Sequence, residues 1–95
     1  MTRVEWTRRA LATLDEISDY IAKDDPNAAQ RMAERVFDAV DHLLEHPAMG
    51  RMGRLPGTRE LVVTGTPYLV PYRVTGDVVE ILRVFHGAQR WPEEL

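Results

Sequence analysis

Apolar positions recur at helical spacing through the first half of the chain. An alternating run at residues 2–6 predicts a short first strand. The next segment predicts a helix over residues 7–23 with Thr7 as its N-cap. One face of that helix is apolar and is formed by Leu11, Leu14, Ile17 and Ile21.

A second helix is predicted over residues 26–46. Asp25 is placed to cap it, and Pro26 suits its first turn, where a missing N–H costs no hydrogen bond. His46 precedes a proline and therefore avoids the helical region, which ends the element. Two amphipathic helices with a tight connection form an antiparallel hairpin that shares one apolar face.

The second half of the chain consists of short β-rich runs. Glycine and proline punctuate residues 47–58, which are predicted as a loop. Strands are predicted over residues 59–64, 68–75 and 78–86, followed by a polar tail over residues 87–95. The order β-α-α-β-β-β indicates an α+β fold, a helical hairpin packed on one face of a small, mostly antiparallel sheet. The other face is expected to be open to a partner.

Two details refine the predicted sheet. Gly76 and Asp77 form a two-residue connection, which is a strong signal for a β-hairpin. Pro71 lies inside a predicted strand and cannot donate to its ladder. It therefore places that strand at an edge of the sheet or marks a bulge.

Composition limits the class of protein. The 95 residues are enough for one domain, and 44% hydrophobic with 28% charged residues is an ordinary globular balance. No apolar run approaches the ~18 residues of a membrane span, and the N-terminus has no signal-peptide pattern. The absence of cysteine excludes disulfides and thiolate chemistry. A cytoplasmic location is expected.

Charge is distributed unevenly along the chain. The formal net charge is −3, which argues against a general nucleic-acid coat. Residues 1–46 carry six basic and ten acidic side chains, whereas residues 47–90 carry six basic and three acidic ones. Eleven of the twelve basic residues are arginine, whose planar fork suits phosphate and carboxylate partners.

The familiar catalytic and metal-binding motifs are missing from the sequence. Asp24 and Asp25 lie at a helix start, where capping explains them better than catalysis does. His42 and His46 have the spacing of a metal-binding pair, but no third ligand is evident. We therefore predict no metal and no cofactor.

Arginine and aromatic residues interleave in the C-terminal half. Such a face suits RNA, through phosphate neutralisation and base stacking, and it also suits a protein interface. RNA cleavage through the 2′-hydroxyl would need proton transfer, from Glu60 or His86, and a cation from Arg59, Arg83 or Arg90. The residues concerned are Arg51, Arg54, Arg59, Tyr68, Tyr72, Arg73, Arg83, His86, Gln89, Arg90 and Trp91.

Three stretches of the sequence resemble the toxins of the RelE/ParE superfamily. They are RELVV at residues 59–63, PYLVPYRV at residues 67–74 and VEILRVFHG at residues 79–87, with EHPAMGR at residues 45–51 after the second helix. The resemblance implies a toxin of a type II toxin–antitoxin pair, held inactive by a cognate protein antitoxin. The fold it implies is again a helical hairpin on a small curved sheet.

The superfamily contains two activities, and the resemblance alone leaves both open. RelE-like members are ribosome-dependent mRNA endoribonucleases, and ParE-like members poison DNA gyrase. Here the loop before the second strand has Arg51 and Arg54 but no lysine. The tyrosine that RelE-like nucleases carry near the C-terminus is absent, and Trp91 stands in that neighbourhood. These departures and the acidic net charge favour the ParE-like activity. The alternatives are the RelE-like nuclease and a degenerate protein that retains only antitoxin binding.

The resemblance and the charge pattern together assign the site residues as hypotheses. A nuclease would use Arg59, Glu60, Arg83 and His86 as its catalytic set. The predicted target-binding residues are Arg51, Arg54, Arg83, His86, Gln89, Arg90 and Trp91. The predicted antitoxin-binding residues are Arg59, Tyr72, Arg73 and Arg83.

Overall fold

A computed structural model of the chain describes residues 1–90 and Leu95. The strand β1 (Arg3–Trp6) leads into the helices α1 (Arg8–Ala22) and α2 (Pro26–Asp41). A single 3-10 turn (His42–Leu44) follows α2. The remaining strands are β2 (Arg51–Met52), β3 (Arg59–Val62), β4 (Tyr68–Thr75), β5 (Val78–Ile81) and β6 (Phe85–His86).

Both helices begin at the residues whose side chains can cap them. The Thr7 hydroxyl accepts a hydrogen bond from the Ala10 N–H at 3.1 Å. One carboxylate oxygen of Asp25 accepts from the N–H groups of Asn27 and Ala28, each at 3.1 Å. Each cap satisfies N–H groups that have no partner inside the helix.

The second helix is shorter than the sequence predicted. It ends at Asp41 rather than at residue 46, and the next residues tighten into the 3-10 turn. Leu43 is fully buried in that turn. A final tightened turn is a common way to end a helix, and here Pro47 follows closely and prevents continuation.

The sheet has the strand order β1-β5-β4-β3-β2, with β6 also paired to β4. The pairing of β1 with β5 is parallel, and every other pairing is antiparallel. The helical hairpin packs on one face of this sheet. The predicted fold class is therefore confirmed.

The main core lies between the hairpin and that face of the sheet. Ala10, Val36, Tyr72 and Ile81 are fully buried within it. Trp6 packs against Phe37 of α2 with ring centroids 5.0 Å apart. Leu14, Ile17 and Ile21 of the stripe predicted for the first helix lie in or against this core. Leu11 does not, because it is 44% exposed, and Ala10 is buried in its place.

Pro71 marks a bulge and does not lie on an edge strand. Its strand, β4, is central and pairs with β3 on one side and with β5 and β6 on the other. Tyr72 pairs with Ile81, but Leu69 pairs with Phe85, so the register changes by one residue between β5 and β6. The extra residue lies within 82–84, beside Pro71.

The missing donor of Pro71 is compensated by the loop that starts α1. The Leu82 N–H donates to the Pro71 carbonyl at 3.0 Å, but proline has no N–H with which to return the bond. The Leu82 carbonyl instead lies 3.2 Å from the Thr7 hydroxyl, which also donates to the Ile81 carbonyl at 2.8 Å. Thr7 therefore caps α1 and also gives the Leu82 carbonyl the partner that Pro71 cannot supply.

Other boundaries depart from the sequence prediction for local reasons. The predicted loop 47–58 contains β2, where Arg51 pairs with Glu60. The predicted strand 59–64 ends at Val62, and a turn with Gly65 at φ 78° follows. The predicted hairpin at Gly76 is present, with Gly76 at φ 61° as a primed turn requires.

The second face of the sheet is open only in part, at exposed residues such as Val62 and Arg73, whereas it was expected to be open to a partner throughout. Glu60, Leu69, Pro71, Leu82 and Phe85 alternate with the core residues, and all five are buried. Loop residues Leu55, Pro56 and Thr58 lie over part of this face beside Leu82.

No helix among the described residues has the length and apolar character needed to cross a membrane.

The buried phenol of Tyr72 ties β4 to the loop after the 3-10 turn. Its hydroxyl accepts from the Gly50 N–H at 2.8 Å and donates to the Pro47 carbonyl at 2.8 Å. Gly50 is itself buried, so no water replaces a lost partner. The hydroxyl therefore satisfies two backbone groups in the core.

We predict that Tyr72→Phe lowers the free energy of unfolding by about 1–3 kcal/mol, because the buried Gly50 N–H loses its acceptor. Urea denaturation followed by circular dichroism measures the change. Tyr20→Phe is the matched control, since Tyr20 is 74% exposed. A Tyr72→Phe protein as stable as the control would contradict this role.

A second prediction concerns alkaline pH. Burial raises the pKa of Tyr72 above its ordinary value of 10.0, and the Gly50 hydrogen bond and the Arg59 charge oppose this only in part. The folded chain then keeps a proton that the unfolded chain releases, so stability is lost as the pH rises above 10.0. We expect a smaller alkaline loss in Tyr72→Phe than in the wild type, measured by urea titrations at several pH values.

Candidate functional site

A buried carboxylate organises the loop that was predicted to bind a target. The Glu60 side chain is 1% exposed and lies on the face of the sheet away from the helices. One of its oxygens accepts from Arg51 Nη2 at 3.1 Å and Nε at 3.3 Å. The other accepts from the Arg54 backbone N–H at 2.9 Å and lies 3.7 Å from Arg54 Nε. We call Arg51, Arg54 and Glu60 the carboxylate clamp.

The carboxylate clamp shows why a glutamate and two arginines occur together in this part of the sequence. An acidic residue next to apolar strand residues, with arginines in the preceding loop, is compatible with a buried ion pair. Both carboxylate oxygens of Glu60 are occupied, so its geometry is structural rather than that of a proton-transfer group. Arg51 and Arg54 keep about half of their side chains exposed, at 57% and 49%.

The predicted antitoxin-binding residues lie in different environments. Tyr72 is fully buried on the helix side of the sheet and is unavailable to a partner, which corrects that prediction. Arg59 is half-buried and donates to the carbonyls of Ala48 and Gly50 at 3.2 and 2.9 Å. Arg73 is exposed and pairs with Glu80 across the strands at 2.9 Å.

Arg73 and Glu80 border a groove of about 450 Å³ on the sheet face away from the helices. Leu55, Pro56 and Leu82 supply apolar walls, and Arg9 adds a second cation. Arg9 Nη1 donates to the Leu95 backbone oxygen at 2.8 Å. The sequence does not indicate Arg9 or Leu55 as site residues, because nothing local links the start of α1 to a loop about 45 residues later.

The C-terminal end of the sheet carries the remaining candidates. The guanidinium of Arg83 lies 5.0 Å from the centroid of the Phe85 ring, and its buried Nε–H has no hydrogen-bond partner among residues 1–90 and Leu95. His86 is exposed and meets Tyr68 edge-to-face with centroids 5.7 Å apart. Burial raises the pKa of Tyr68, which stays protonated at neutral pH. Gln89 and Arg90 are exposed, and Trp91 lies outside the described residues.

The acid and the base of the hypothetical nuclease set, Glu60 and His86, do not converge. Arg59 and Glu60 lie on β3 and His86 lies on β6, with β4 between them. Glu60 pairs with Pro71, whereas His86 pairs with Tyr68, three positions away along β4. A base and an acid acting on one phosphate must both reach it, which this separation does not favour.

The described residues present no arrangement for a metal. Within residues 1–90 and Leu95, no three histidine or acidic side chains are grouped closely enough to hold an ion. Among the described residues the candidate groups lie at three places, the carboxylate clamp, the groove bordered by Arg73 and Glu80, and the end of the sheet.

Residues 4–91 match the family model described as the ParE toxin of the type II toxin–antitoxin system parDE. This chain belongs to that family. It is a toxin of the RelE/ParE superfamily, which confirms the resemblance seen in the sequence.

Named relatives include both branches of the superfamily. The toxin is 56% identical over 93 residues to a protein of Sinorhizobium fredii named toxin Y4kP, covering 98% of this chain and 96% of the relative. It is 47% identical over 89 residues to Toxin RelE2 of Caulobacter vibrioides, covering 94% and 99%. The chromosomal ParDE system from P. aeruginosa has a chain that matches with a TM-score of 0.80 and 32% identity, covering 90% of this chain and 96% of that one.

We predict that Glu60→Gln lowers the free energy of unfolding by about 1–3 kcal/mol, since the change removes the buried charge that holds two arginines. Glu80→Gln is the matched control, because it breaks a cross-strand pair of the same kind whose acid is 36% exposed. The control should lose no more than about 1 kcal/mol. Equal losses in urea denaturation would show that burial of Glu60 adds nothing.

Proposed function

We propose that this toxin inhibits bacterial growth by acting on DNA gyrase in the cytoplasm, and that a cognate antitoxin neutralises it. The observation that carries the proposal is the separation of Glu60 from His86 by the central strand. The carboxylate that an RNA-cleaving site would use is committed to the clamp. The lack of a converging Glu60 and His86 among the described residues favours action by binding.

Electrostatics support the same proposal. The chain has a net charge of −3, whereas docking against ribosomal RNA rewards a strongly cationic surface through counterion release. Three arginines of the C-terminal half also form ion pairs within the chain, Arg51 and Arg54 with Glu60 and Arg73 with Glu80. This pairing reduces the cationic charge that the C-terminal half offers, which favours a limited protein contact over an extended RNA.

The end of the sheet supplies the proposed contact with gyrase. Gln89 and Arg90 are exposed beyond β6, beside His86. Arginine and aromatic side chains are typical of residues that dominate the energy of a protein interface. In this mechanism the toxin grips the topoisomerase and stabilises its cleaved-DNA state, and it transfers no group itself.

The antitoxin is proposed to lie over the exposed part of the second sheet face. Arg73 and Arg9 border the groove there, and Leu55 and Leu82 line it, so a segment with acidic and apolar residues would complement it. Matching structures come from toxin–antitoxin systems, which supports a protein partner of this kind.

We predict that purified toxin inhibits negative supercoiling by gyrase and increases the amount of cleaved plasmid. Arg90→Ala should raise the concentration for half-inhibition about tenfold, because an interface arginine of this type contributes more than about 1 kcal/mol. Arg31→Ala, on the exposed side of α2, is the control and should leave inhibition unchanged.

Three results would redirect the proposal. Normal supercoiling at toxin excess would exclude gyrase as the target. Discrete cuts in a translated mRNA, mapped by primer extension, would establish the nuclease activity instead. Normal growth of cells that express the toxin without a partner would leave only antitoxin binding.

A further inference from the structure

The hydrogen bonds of His86 give it a role that neither proton transfer nor direct binding describes. We propose that His86 is a positioning residue, whose imidazole orders the turn that carries Gln89 and Arg90 toward the target. This inference deepens the proposed function, because it assumes that this end of the sheet makes the contact.

The imidazole holds its own turn by accepting a backbone hydrogen bond. His86 Nδ1 accepts from the Ala88 N–H at 3.1 Å. The His86 carbonyl accepts from the Gln89 N–H at 2.9 Å, which closes a four-residue turn. Asparagine and aspartate commonly bond the N–H two residues onward in this way. His86 performs the same task with a ring nitrogen.

The turn is fixed to the rest of the sheet from two sides. The Gly87 N–H donates to the Pro67 carbonyl at 2.7 Å, and a side chain at Gly87 would lie 3.2 Å from that oxygen. The imidazole also packs edge-to-face on Tyr68. The ring therefore connects a rigid strand to an exposed turn, which is the arrangement that sets the direction of the residues that follow.

The hydrogen bond to His86 Nδ1 distinguishes a positioning role from general acid–base catalysis. An Nδ1 that accepts from a backbone N–H is unprotonated, and that bond is lost when Nδ1 takes up a proton. Ordering the turn needs an acceptor atom at the δ position, and it does not need that atom to titrate. A catalytic role needs a group that titrates, so the two roles predict different variants to be active.

Three substitutions distinguish the roles. His86→Asn keeps an acceptor the same number of bonds from the backbone as Nδ1. His86→Gln moves the acceptor outward to the distance of Nε2, and His86→Ala removes it. His42→Ala is the control for loss of an exposed histidine elsewhere, in the 3-10 turn. Thermal unfolding of each variant checks that the fold is retained.

The first measurement is spectroscopic and needs no target. In 15N-labelled wild type we expect a coupling through the hydrogen bond between the Ala88 amide nitrogen and His86 Nδ1. Its absence in a well-resolved spectrum overturns the proposal.

The second measurement is inhibition of gyrase supercoiling, repeated as growth arrest in cells. We expect His86→Asn to stay within about threefold of wild type and His86→Ala and His86→Gln to weaken inhibition about tenfold, the size of one interface hot-spot contact. Equal loss in all three variants overturns the positioning role. A wild type that arrests growth but leaves gyrase unaffected overturns the proposed target, and the order of the variants in growth arrest still decides the role of His86. A wild type inactive in both assays overturns the proposed function, and the coupling alone then decides whether His86 orders the turn.

Discussion

Between β4 and β5 the ladder lacks one hydrogen bond, because Pro71 has no N–H to give to the Leu82 carbonyl. Two features of the molecule meet at this gap. The Thr7 hydroxyl reaches across from the start of α1 to the Ile81 and Leu82 carbonyls. The chain then bulges between Leu82 and Val84, and the Val84 N–H bonds to the Thr13 hydroxyl of α1. The first helix is therefore fixed to the sheet where the sheet is irregular.

Several charged side chains of the C-terminal half stabilise the fold, and only the remainder are available for recognition of a partner. Glu60 is buried, and it draws Arg51, Arg54 and the Arg54 backbone into one cluster. Removing one partner from such a cluster leaves a buried charge unpaired, which is why ionic groups inside a fold are sensitive to mutation. The arginine count of the C-terminal half thus overstates the cationic surface that a partner meets.

Much of the fold follows from the sequence because its signals are local. The caps at Thr7 and Asp25, the turn at Gly76 and the strand at residues 68–75 all depend on neighbouring residues and match the structure. The buried state of Tyr72 and the covering of the second sheet face depend on residues far apart in the chain. Sequence pattern identified Tyr72 and Glu60 as chemically notable, but it could not tell a binding role from a structural one. The same long-range packing hid Arg9 and the groove from the sequence analysis.

The bulge also determines which side of the sheet His86 occupies. In the register of β4 and β5, Tyr68 would face Phe85, and His86 would fall on the opposite side of the sheet. The one-residue change pairs Leu69 with Phe85 and Tyr68 with His86. Since directly paired residues share a face, the change buries Phe85 beside Leu69 and places the imidazole against Tyr68. The bulge beside Pro71 in the central strand therefore also sets the direction of the exposed turn at the end of the sheet.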